Sequence, residues 1–158
     1  MMAAIVVIVI VVCVAAAAGV FVMTRRIRDS ALRSNEIVPG QKTDAPAAWA
    51  GSHDPEARLH RRIRDALTLL RSDPELAHDG VRIDTRVRIE FAATDLDNRL
   101  IAIAKTPPRL REGALTAAEA AVTDLENLAA DLATGGELDP LRVEALITRI
   151  SSPPALGS

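Results

Sequence analysis

VRIDTRVRIEF, residues 81–91, is the run on which the fold class turns. Val81, Ile83, Val87, Ile89 and Phe91 alternate with Arg82, Asp84, Arg86, Arg88 and Glu90, the period of two expected of a half-buried strand. The apolar pattern then continues through Ile89, Ala93, Leu96, Leu100 and Ile103 in steps of three or four, which is the period of a helix, and no turn residue separates the two stretches. A lone strand would have no partner, because the chain holds no second alternating run. The alternation is therefore read as the opening of one long helix over 82–105, and the fold class as all-α.

Downstream, Thr106-Pro107-Pro108 ends that helix and opens the next. The next helix begins near Pro108 or at Thr116, where Thr116-Ala117-Ala118-Glu119 fits a capping box. Leu115, Ala118, Val122, Leu125, Leu128 or Ala129, and Leu132 form a heptad-like seam, which Gly135-Gly136 stops. Asp139-Pro140 starts a short last helix to about residue 150, with Val143, Ile147 and Ile150 on one side; residues 151–158 read as a disordered tail.

Upstream, Asp54-Pro55-Glu56 is a helix start: an N-cap, a proline at the first helical position and an acid in the positive first turn. Leu59, Ile63, Ala66, Leu67 and Leu70 give the helix over 55–71 one apolar stripe. Asp73-Pro74-Glu75 repeats the start signal for a short extra turn, closed by Gly80. Two long helices joined by the Pro-Pro turn predict an antiparallel hairpin with the first helix packed across it, so residues 53–150 are expected to form a bundle of three or four helices. Residues 37–52, with Pro39-Gly40, Pro46 and Gly51, read as a flexible linker that reaches on the order of 20 Å. Trp49 stands out in it, placed either at a lipid interface or against the first helix of the bundle.

Residues 3–23 carry no charge, and eleven of these 21 are Ile or Val. As a helix rising about 1.5 Å per residue they span a hydrocarbon core roughly 30 Å thick. Residues 1–36 are thus expected to be a transmembrane anchor with a juxtamembrane helix. A cleaved signal peptide lacks its positive n-region here, although Ala15 to Ala18 offer small residues; if residues 1–18 were removed, the product would be a secreted helical protein. Arg25, Arg26, Arg28 and Arg33 follow the run, and the positive-inside rule then puts the amino terminus outside and the rest in the cytoplasm, at a cell inner membrane. Ala15 and Gly19 form a small-xxx-small pair that, like the 115–132 seam, could bring two copies together as a homodimer.

The whole chain has 158 residues, a net charge of −2, 49% hydrophobic residues but 2% aromatic, so the core must be built from Ala, Leu, Ile and Val, a composition that favours packed helices. Near-neutral charge excludes a strongly basic nucleic-acid-binding surface. The single Cys13 excludes an intrachain disulfide and a thiolate metal cluster. Seventeen arginines against two lysines, with many alanines, point to a GC-rich coding sequence.

The chain contains no Gly-rich phosphate loop, no Cys-pair motif, no His-Glu-x-x-His and no Gly-x-Ser-x-Gly. His53, His60 and His78 read as solvated or capping histidines, and Asp95 and Asp97, two apart on a helix, face different ways. No cofactor or metal is expected and no enzyme activity. Charge is unevenly spread: residues 53–71 net +2, and residues 119–144 net −6. Arg58, Arg61, Arg62 and Arg64, with Arg25, Arg26 and Arg28, are candidates to meet anionic lipid, while Glu119, Asp124, Glu126 and Asp131 are candidates, with Trp49, for a protein interface. The alternative is solvated faces partly matched within the bundle.

The run WAGSHDPEARLHRRI, residues 49–63, followed by the Pro-Pro hairpin, resembles uncharacterised single-pass bacterial membrane proteins with a short helical cytoplasmic domain. That resemblance implies the architecture and brings no activity or site residues. The expected function is a membrane-tethered, non-catalytic adaptor, its partners membrane lipids through residues 3–23 and an unidentified protein; the alternative is an accessory subunit of a membrane transporter or respiratory complex.

Overall fold

The computed structural model describes residues 36–41, 43–72, 80–134, 136–137 and 139–152. All belong to the second of two units into which the chain divides, Met1–Ser34 and Asn35–Ser158. The apolar run over 3–23, the arginines beside it, the turn expected at 73–78 and the tail after 152 lie outside the described residues. No helix among the described residues is long and apolar enough to cross a membrane.

Four α-helices and no strand make up the described fold: α1 (Pro55–Ser72), α2 (Gly80–Ala104), α3 (Pro108–Ala133) and α4 (Pro140–Ser151). The ion pairs between them give their directions. Glu56 meets Arg111 and Arg62 meets Glu119 and Glu126, so α1 and α3 run parallel. Arg71 meets Glu90 while His60 meets Asp97, so α2 runs back along α1. Arg142 meets Asp131 while Arg149 meets Asp124, so α4 runs back along α3. The result is an up-down-up-down bundle in which α2 and α3 each touch both outer helices and α1 does not touch α4.

The core follows the composition. Leu59, Ile63, Ala66, Leu67 and Leu70 of α1 are buried as their spacing requires, against Ala118, Val122, Leu125, Leu128, Ala129 and Leu132 of α3. The heptad seam of α3 is therefore buried inside the bundle. α3 starts at Pro108, so the capping box at Thr116 is not used; Thr116 sits mid-helix and its hydroxyl bonds to the Glu112 carbonyl, 3.1 Å. Asp139 does cap α4, accepting from the Leu141 N–H at 2.9 Å.

The alternating run is helical, and the alternation has a visible consequence. Two residues on a helix are about 200° apart, so period two sends successive apolar residues to opposite sides. Ile89 is 1% exposed in the core, while Phe91 is 63% exposed and Val81 is open as well.

Residues 37–52, expected as a flexible linker, are instead packed on the bundle. Ile37, Val38, Ala45 and Trp49 are buried in its core. The chain turns at Pro39-Gly40, where Gly40 has φ +82° and the Gln41 N–H bonds to the Val38 carbonyl at 3.0 Å, as a type II turn requires. A 3-10 turn over Ala47–Ala50 then presents Trp49 inward. Near its start this strap is held to the far end of α1, Arg71 donating to the Ile37 carbonyl at 3.3 Å, and near its end to the first half of α1, Arg61 donating to the Trp49 carbonyl at 2.7 Å. The strap thus runs antiparallel to α1. Its four core residues have no common period among prolines, glycines and alanines, which is why composition alone reads as a linker.

Candidate functional site: a buried histidine–aspartate pair beneath the strap

His60 is 0% exposed and Asp97 1%, and they meet inside a largely aliphatic core. His60 belongs to α1, where Glu56, His60, Ile63, Leu67 and Leu70 recur in steps of four and three; Asp97 belongs to α2, in the row Ala93, Asp97 and Leu100. Both therefore occupy inward positions, and the antiparallel register of α1 and α2 brings them together across 37 residues of sequence. His60 Nδ1 lies 2.6 Å from Asp97 Oδ1 and donates to it, and the Thr43 hydroxyl of the strap donates to Asp97 Oδ2 at 3.2 Å. The Trp49 ring stands edge-on to the imidazole, centroids 5.5 Å apart at 60°, a favoured aromatic geometry. Strap, α1 and α2 thus meet at one carboxylate.

The expectation that His60 is solvated or capping is corrected here: the helix buries it because it falls in the apolar row. Asp95 and Asp97 do face different ways, Asp95 exposed and Asp97 buried. The signal was in the sequence, a polar residue at an inward position on each of two helices, but their pairing depends on a register that neither helix contains.

The group ties α1, α2 and the strap together. In a hydrolytic triad the carboxylate orients one imidazole nitrogen and the other faces a nucleophile. Here the second nitrogen, Nε2, is buried without a hydrogen-bond partner among the described residues, and the Thr43 hydroxyl is bonded to the carboxylate and not to the ring. Among the described residues no group of three or more His, Cys, Asp or Glu is placed to hold a metal ion.

A second polar contact joins α1 to α3. Glu56, nearly fully buried in the first turn of α1, accepts from Arg111 at 2.7 Å. Of the candidate charged residues, Arg62, Glu119 and Glu126 are brought together. Arg62 grips Glu126 with two parallel bonds, Nε to Oε1 at 2.8 Å and Nη2 to Oε2 at 2.7 Å, and also meets Thr123 and Glu119. That grip holds the Glu126 carboxyl below its ordinary range and raises the Arg62 guanidinium, partly offset in each by burial. Asp124 pairs with Arg149 and Asp131 with Arg142. Of the α1 arginines, Arg64 bonds to its neighbour Asp65, Arg61 holds the strap, and Arg58 is exposed. Trp49 is buried and offers no outer surface. Arg25, Arg26 and Arg28 lie outside the described residues. Arg62 thus links the basic stretch to the acidic one, in which Asp124, Asp131 and Glu144 pair with Arg149, Arg142 and Arg88, and sequence reasoning missed the buried pair beneath the strap. No protein-family model, curated protein or solved structure matches this chain.

Proposed function

We propose that the chain is a membrane-tethered, non-catalytic helical adaptor that holds its bundle at the cytoplasmic face of a bacterial inner membrane and there binds a protein partner. The observation that carries this reading is the uncharged 21-residue run over 3–23 followed at once by Arg25, Arg26 and Arg28. Its supports are the lipid-soluble length of that run, the basic flank suited to anionic headgroups, and the fastening of the strap, which makes residues 36–50 part of the folded body that a tether would present.

The partner surface in this reading is α2 and not the acidic face of α3. Glu119, Asp124, Glu126 and Asp131 already have arginine partners inside the bundle. Ile83, Val87 and Phe91, four residues apart, form a row of which Phe91 is the most open. Two measurements test the proposal. A periplasm-dependent phosphatase fused after residue 152 should be inactive and a cytoplasmic reporter active at the same position; the opposite result overturns the orientation. A photocrosslinking residue at position 91 in native membranes should join the chain to a discrete protein, and the same residue at position 131 should not.

A further inference from the structure

Among the described residues the bundle is incomplete along one side. α4 ends at Ser151, and beyond that end the first half of α3 and the second half of α2, packed on α1 at one side, have no described helix across them on the other. The uncovered wedge is a groove of about 330 Å³. Its sides are Leu96 and Ile103 of α2 and Ile150 of α4, and its floor is the alanine face of α3, including Ala114, Ala117 and Ala121. A volume of this size, between helices and with apolar walls, is that of a small-ligand site. No aromatic ring lines it, so it has no platform for a flat ligand; a trough floored by methyl groups suits a linear aliphatic chain.

One lining residue is a cation with hydrogen-bonding capacity to spare. Arg99 donates through Nη1 to the Ser152 carbonyl at 2.8 Å and through Nε to the Asp95 carbonyl at 3.3 Å, but its Nη2 is buried and has no partner. Burial lowers the pKa of this guanidinium, and the Asp95 carboxylate only partly restores it. The second arginine on the groove, Arg149, is already paired with Asp124. A buried N–H without an acceptor is destabilising, and an oxyanion is its strongest acceptor.

We propose that this groove binds a single aliphatic chain ending in a carboxylate, a free medium-chain fatty acid, with the chain along the alanine face of α3 and the carboxylate on Arg99. Alkyl burial supplies the affinity and Arg99 the selection for an anion. Each methylene withdrawn from the groove weakens binding about fourfold, so octanoate should bind about fifteenfold more weakly than decanoate. Exchanging the carboxylate for a hydroxyl, as in decanol, should weaken binding about tenfold or more, as should Arg99→Leu.

The test uses the full chain in lipid nanodiscs, photolabelled with a diazirine-tagged decanoate, with the labelled residues located by mass spectrometry. Expected is label on α2, α3 and α4 around positions 96, 117 and 150, displaced by decanoate, less well by octanoate and poorly by decanol. Ala117→Leu fills the exposed rim of the groove without touching the core and should abolish the label, and Arg99→Leu should remove the preference for decanoate over decanol. Label confined to residues 3–23, or groove label indifferent to Ala117→Leu, overturns the proposal. So does equal labelling by a decanol probe. Label delivered only by a diazirine-bearing phospholipid of the disc would assign the groove to bilayer lipid, and crosslinks from residues 153–158 into it would assign it to the chain itself; either result replaces the free fatty acid.

Discussion

The two halves of α2 depart from the helical binary pattern in opposite directions. The first half exposes apolar side chains, Val81, Ile83 and Phe91, because an alternating sequence wound into a helix cannot turn all of them to one side. The second half, with a regular helical period, is buried through Leu96, Leu100 and Ile101, and it buries a carboxylate among them. An exposed phenylalanine needs nothing from the bundle, whereas a buried aspartate needs partners, and Asp97 takes them from two other elements, His60 of α1 and Thr43 of the strap.

The contrast can be broken at several points, and the largest effect belongs to the regular half. Leu100→Ala removes a fully buried side chain and should cost about 3 kcal/mol in chemical denaturation, within the range of core leucines. Asp97→Ala should cost about 2 kcal/mol, since it strands His60 and frees Thr43; it should also shift Trp49 fluorescence, whereas Leu at both 60 and 97 should restore most of the stability. A polar contact left at the surface gives the reference for that buried one. Arg62 lowers the pKa of Glu126, so the pair's contribution is complete above the ordinary glutamate range and is lost as pH falls through the lowered value. Glu126→Gln should accordingly lose no more than about 1 kcal/mol at neutral pH, and the difference from the parent should vanish in acid and shrink in salt. The smallest effect lies in the alternating half: Phe91→Ser should leave stability unchanged within about 0.5 kcal/mol while abolishing a crosslink made by a photocrosslinking residue at position 87 of the same row.

The helices were legible because each carries its own evidence. The Asp-Pro starts, the Pro-Pro turn and the stripes of α1 and α3 each act within a few residues, and the structure has α1 from Pro55, α3 from Pro108 and α4 from Pro140. The helical reading of residues 81–91 rested on a tertiary fact, the want of a second strand, and it holds. Of the strap only Trp49 was legible, as a ring that could pack on the first helix; Ile37, Val38 and Ala45 dock through irregular backbone whose spacing follows the surface of the helices and no period of its own. The His60–Asp97 pair was half legible: two polar residues in apolar rows can be read off, but not that they face one another. Charge asymmetry along the sequence left open whether those faces are matched within the bundle, and the contact of Arg62 on α1 with Glu119 and Glu126 on α3 depends on a register that neither helix contains.

The direction in which the strap is laid down has a mechanical meaning. Tension arriving through residue 36 first loads Arg71 at the far end of α1, then Thr43 on Asp97, and last Trp49 beside His60. Contacts arranged in that series yield one after another, as tape lifts from a surface, so a modest sustained force would uncover the imidazole only after every earlier hold had let go.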